Sequence, residues 1–188
     1  SGVGLNLGNG LVVVSGGTLA LEITPEGLAG VVRATISVGG AGSVLEGIFE
    51  ISATVTISIN QRLTVAEFDR DWLVDAFTTA TVDGNDVVDA IFGTGNPTEL
   101  QAGKFLRVEA ADVTISVLDT FSLTGDFAFE QSSTPGPDGI AGNADDVKLV
   151  RIGLANVQLD LVPGVLSLTD GEGLIVLSPA GMAASFAV

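Results

Sequence analysis

The sequence predicts an all-β fold: an elongated antiparallel β-sandwich or barrel-like repeat unit, set in a tandem array and carrying one short, helical insert. Three observations point there. The 188 residues are rich in Gly, Val, Thr, Ser and Ile and poor in Lys and Gln, which favours strands and turns over helices. Short apolar alternations recur at roughly 8–12-residue spacing, divided by Gly, Asn and Pro. Finally, residues 1–34 lie without a gap on residues 155–188, an offset of 154. Val3/Val157, Leu5/Leu159, Leu7/Leu161, Gly17/Gly171, Pro25/Pro179, Gly27/Gly181 and Ala29/Ala183 coincide. Residues 1–154 therefore read as one full repeat, and 155–188 as the opening of the next.

The elements follow in order. Val3, Leu5 and Leu7 alternate with small or polar residues, the period of a strand. Asn9-Gly10 marks a turn. Residues 11–14 read as a second strand, Gly16-Gly17 as a second turn, and 18–23 as a third strand, broken by Pro25 to Gly27. Val32, Ala34, Ile36 and Val38 give another, ended by Gly39-Gly40. Residues 45–51 and 53–59 read as two strands or one long bent one. A shorter echo is nested in the long period: Leu106, Arg107, Ala111, Val113 and Ile115 match Val150, Arg151, Ala155, Val157 and Leu159 at an offset of 44.

Residues 61–103 break the rhythm. Phe68, Trp72 and Ala76 fall four apart, so 65–77 is expected to be a helix with Trp72 as the core anchor and Asp69, Asp71 and Asp75 outside that line. The competing reading makes Trp72 an exposed platform for a sugar. A second helix is expected over 83–92, and Asn96-Pro97 closes the insert. Strands resume at 105–130. A turn-rich loop spans 131–146, and 147–188 is strand again.

Composition narrows the function. Hydrophobic residues at 46% against charged residues at 16% exclude a disordered tail. A net charge of −16, from 23 acidic and 7 basic residues, makes nucleic acid and anionic membrane poor partners. The chain lacks Cys, His and Tyr, which excludes disulfides, thiol chemistry and a His-dependent triad. No stretch reaches the roughly 18 apolar residues of a membrane helix, so membrane insertion is not expected. The glycine runs lack the Lys of a phosphate loop. An enzyme is not expected.

Calcium is the cofactor the sequence suggests. It takes six to eight oxygen ligands on a tightly curved loop. Asp138, Asn143, Asp145 and Asp146 supply side-chain oxygens around Gly139 and Gly142. The competing reading is an ordinary solvated turn. A second candidate set is Asp83, Asn85, Asp86 and Asp89, for which the alternative is a helix capped by Asp83 with Asp86 and Asp89 facing water.

The set L-R-V-x-x-x-x-V-x-I-x-V from Leu106, L-x-G-x-F-x-F-E from Leu123 to Glu130, V-R-I-x-x-x-x-V-x-L-x-L from Val150, and L-x-P-x-G-M-A from Leu177 to Ala183 resembles the long tandem repeats of giant secreted bacterial surface proteins, adhesins and calcium-binding exoproteins among them. The resemblance covers 18–59 and 105–188. It implies an extracellular or cell-surface location in a bacterium and a structural role. The expected function is a repeat of a β-rich fibre, stalk or surface filament. Its partners would be neighbouring repeats or identical subunits, joined through sheet edges, with calcium stiffening the loops. The alternative is an adhesive module that displays the insert to a glycan or protein.

Overall fold

The structure is a computed structural model that describes residues 3–7, 12–78, 80, 83–118, 121–162 and 166–188. It is all-β apart from two short helices. The strands are β1 (Val3–Leu7), β2 (Val12–Thr24), β3 (Gly27–Val38), β4 (Phe49–Asn60), β5 (Ala66–Glu67), β6 (Glu99–Leu100), β7 (Phe105–Val117), β8 (Phe121–Thr134), β9 (Val147–Val162), β10 (Leu166–Ser178) and β11 (Gly181–Ala187). The helices are α1 (Arg70–Phe77) and α2 (Gly84–Phe92). Nine strands form one sheet in the order β1-β2-β3-β4-β7-β8-β9-β10-β11, every neighbour antiparallel. Strands β5 and β6 form a separate small pair.

The meander follows from its turns. Pro25-Glu26 joins β2 to β3 in two residues, so the strands stay adjacent. Gly27 sits at φ 136°, and the Thr24 hydroxyl donates to its carbonyl. The same turn recurs at Pro179-Ala180, with Gly181 at φ 137° and the Ser178 hydroxyl donating to its carbonyl. Short connections of this kind build one layer. The second layer comes from the insert, not from a second sheet, and among the described pairings none joins β1 to β11.

Several boundaries differ from the expected ones. Residues 12–24 are one strand, and Gly16-Gly17 is a bulge within it, not a turn. Gly16 at φ 63° absorbs the extra residue while pairing continues on both sides. Residues 45–48 are turn, held where the Gly42 N–H donates to Glu46. Strand β8 runs on to Thr134. The Asn9-Gly10 turn lies outside the described residues.

Bulges recur in β7, β9 and β10, with Asp112, Asn156 and Asp170 at φ 53°, 54° and 57°. They have one consequence for side-chain direction. A one-residue slip would turn every later side chain to the other face. In β7 the apolar positions change from Val108 and Ala110 to Val113, Ile115 and Val117, and the bulge at Asp112 keeps them all on one face. Apolar rows then cross the whole sheet: Val32 pairs Ile57, Ile57 pairs Val108, Val108 pairs Phe129, Phe129 pairs Ile152 and Ile152 pairs Ile175.

The opposite face carries the insert. It leaves β4 after Asn60 and rejoins at Phe105, and those two residues are paired, so the excursion does not disturb the sheet. It packs where the otherwise polar face holds small or apolar residues. Ala20, Ala29 and Val31 are buried there with Ala66, Leu73, Val88 and Leu100, flanked by Phe68, Phe77, Ile91, Phe92 and Phe105. The Phe68 and Phe92 rings stack tilted at 5.8 Å.

Candidate functional site

Helix α1 begins later than its apolar spacing implied, and its phase is different. Asp69 is the N-cap, with its carboxylate accepting from the Trp72 N–H at 2.9 Å. Phe68 before the cap packs against the cluster of Ala20, Leu73 and Val88, the positions of a hydrophobic staple at the helix entry. Leu73 is fully buried, worth roughly 1.5–3 kcal/mol. Trp72 is 61% exposed, so it is not the core anchor; Leu73 is. The reason is the cap: starting the helix at Arg70 turns Trp72 outward beside the exposed Asp69, Asp71 and Asp75.

A polar node ties the insert to the sheet, and sequence reasoning missed it. Asn60 is fully buried; its Nδ2 donates to the Thr64 and Gln101 carbonyls at 3.0 and 2.8 Å, and its Oδ1 accepts from the Arg62 N–H. One amide thus holds both the entry and the exit of the insert. Arg62, buried to 7% exposure, donates to the Gly27 and Glu22 carbonyls and pairs with the Glu22 carboxylate at 3.0 Å. The available signal was an Asn closing the apolar zigzag of β4, followed two residues later by Arg.

Beyond the insert the same face carries a charged seam. Glu130 on β8 accepts from Arg107 on β7 at 2.6 Å and from Arg151 on β9 at 2.8 Å. Further along β8, Asp126 accepts from the Asp112 backbone N–H at 3.0 Å and the Asn156 side chain at 2.7 Å. The offset of 44 thus has a geometric meaning. Arg107 and Arg151 flank one acid, and the bulge residues Asp112 and Asn156 flank another. Burial works to raise the Glu130 carboxyl, but the Arg107 hydrogen bond and the charges of both arginines outweigh it and hold it below its ordinary value. The Asn156 hydrogen bond, then that from Asp112, lowers Asp126.

No protein-family model, curated protein or solved structure matches this chain.

The acidic loop at 138–146 is exposed apart from Asp146. Asp138 accepts from the Ile140 N–H at 2.8 Å and from the Asn143 side chain at 2.7 Å. Asp146 Oδ2 accepts from the Gly142 N–H at 2.8 Å, whereas its Oδ1 is buried with no protein partner. In the second set, Asp83 caps α2 by accepting from the Asn85 N–H, Asp89 is ion-paired with Arg70, and Asn85 and Asp86 are exposed. The Asp83 cap and the exposed Asp86 are what the capping alternative expects, whereas Asp89 faces Arg70 rather than water. Among the described residues, no three acidic side chains come together as a ready metal group. No helix among the described residues is long and apolar enough to cross a membrane.

Proposed function

We propose that this chain is a structural, non-enzymatic repeat of an extracellular β-rich fibre, stalk or surface filament in which successive units join by sheet pairing. One observation carries the reading. The 154-residue recurrence is kept in the pairing register itself. Val3 opposite Gly17 becomes Val157 opposite Gly171, Leu5 opposite Val14 becomes Leu159 opposite Leu168, and Ile23 opposite Leu28 becomes Leu177 opposite Met182. The bulge recurs too, at Gly16 and at Asp170. The second half of β9 therefore stands to β10 as β1 stands to β2, and β11 stands where β3 stood. A following period would lay its own β4 against β11, and the meander would run on as a ribbon. Six strands per period give an axial step of about 29 Å.

Calcium enters this reading as a stiffener of the loop at Asp138, Asn143, Asp145 and Asp146; the unpartnered Asp146 Oδ1 is its support. The second reading is an adhesive module for a glycan or protein, favoured by the exposed Trp72 on the insert. Electron microscopy of a chain carrying several periods tests the first. Thin continuous rods with an axial spacing near 29 Å are expected, and softening of the rods on chelation would support the calcium role. Separate globular particles with and without calcium would overturn the fibre and leave the adhesive reading.

A further inference from the structure

The sheet has a broad apolar face, distinct from its edges. It is the face opposite the insert. Seven strands of 12 to 16 residues contribute to it. Its alternate positions are apolar or glycine almost throughout. Lys148, on the terminal rung opposite Ser133, is the sole charged side chain at the paired positions of this face among the described residues. Among the described residues much of it is open: Ile23 is 74% exposed, Met182 71% and Phe186 61%, and Val32, Ile57 and Leu106 are exposed as well, while the small Ala53 and Val113 are buried. At strand spacing of about 4.8 Å and rise of about 3.4 Å per residue, the face spans roughly 1,400 Å². That is about two to five times the largest apolar patch ordinary for a monomer, about 300–600 Å². It also exceeds the roughly 800 Å² per partner that a standard stable interface buries.

We infer that this face is covered by the same face of a second copy of the chain, the two sheets stacked about a two-fold axis into a sandwich. Charge placement favours that occupant. The Arg107–Glu130–Arg151 seam, the acidic insert and Asp126 all belong to the other face. Stacked sheets lie about 10 Å apart, and the charges lie outside both, farther apart than the screening length of about 8 Å. A net charge of −16 per chain therefore does not oppose this contact as it would oppose insert-to-insert contact. An anionic lipid surface is a poorer occupant, because the rim of the face offers it little beyond Lys148. The two-layered β architecture expected from the sequence is then completed between copies.

The test is the mass of the intact chain in solution by light scattering at about 50 µM, above the micromolar range of modest interfaces. A dimer is expected. Ile57→Lys, in the middle of the face, should weaken it at least a hundredfold, since the ammonium would be buried without a partner. Thr56→Lys, its neighbour on the other face, should leave it intact, and so should Ala184→Pro, which blocks pairing at the β11 edge. Circular dichroism checks folding, and Val32→Lys replaces Ile57→Lys should that variant not fold. A monomeric wild-type chain overturns the inference. Dimerisation lost in Ala184→Pro but kept in Ile57→Lys also overturns it and assigns association to the edge. A chain that is monomeric and floats with phosphatidylcholine vesicles assigns the face to lipid and overturns it as well.

Discussion

Gly84, the first residue of α2, sits against the end of α1 so closely that one methyl group tests the packing of the whole insert. A Cβ built there falls 2.0 Å from the Val74 carbonyl oxygen and 2.5 Å from Thr78 Oγ1. The first is backbone and cannot swing aside; the methyl would stand about 1.4 Å inside ordinary contact. Relief means moving α2 away from α1, which also breaks the bond from the Gly84 N–H to Thr78 Oγ1, 3.1 Å long. Overpacking costs about 1–3 kcal/mol and the lost bond about 0.5–1.5 kcal/mol. Helix propensity returns at most about 1 kcal/mol. Gly84→Ala is therefore expected to destabilise the insert by about 2 kcal/mol. Because the insert hangs from one strand pair, it should open locally, and amides of α1 and α2 should exchange about thirtyfold faster while those of β8 and β9 keep their protection. Native-state hydrogen exchange reads both regions in one sample. Unchanged or slower exchange in the helices would refute the contact argument; equal acceleration everywhere would refute the independence of the insert.

The remaining predictions concern single side chains. Glu130→Gln should cost about 1 kcal/mol near neutral pH, the modest worth of a solvent-screened pair. Because the Glu130 carboxyl is held below its ordinary 4.5, its contribution is present above that value and is lost as pH falls through the lower folded-state value. The melting-temperature gap between the two proteins should therefore narrow on acidification, and a gap that widens would contradict the seam. Asp170→Val should lower stability by about 1–2 kcal/mol, because a β-branched residue cannot sit comfortably at φ 57°, whereas Asp170→Gly should be neutral or stabilising, as Gly16 is at the equivalent place. Trp72→Ala should change unfolding free energy by no more than about 0.5 kcal/mol, given its exposure, while Leu73→Ala should cost about 2–5 kcal/mol; urea titrations of both variants that reverse this order would restore Trp72 as the anchor.

Strand existence was legible because the side-chain period of two is local. Bulges were less so. Gly16-Gly17 looks like a turn to a reader of composition, and Asp112, Asn156 and Asp170 adopt the left-handed conformation without being glycine. The clue lay in the change of parity between Ala110 and Val113, which a continuous strand can absorb only with an extra residue. The phase of α1 was misread because apolar spacing admits two helical faces, and the Asp69 cap decides between them. The seam at Glu130 was hidden because the pairing register of β7, β8 and β9 decides which acid the arginines meet, although the repeated Arg of Arg107 and Arg151 marked it. A single sheet and a sandwich write the same alternation into a chain, so the number of layers could not be read from the zigzag.

In the proposed array the insert would recur once in every six strands, and neighbouring strands in a sheet rotate by about 20–25°. Along a continuing ribbon each insert would therefore point about 120–150° away from the one before it. Helices α1 and α2, with Trp72 on their outer surface, would climb the fibre as a spiral stair, close to three steps per turn. A full turn would close in about 70–90 Å. Such a fibre has no front or back: whatever direction a neighbouring surface approaches from, an insert faces it within one turn.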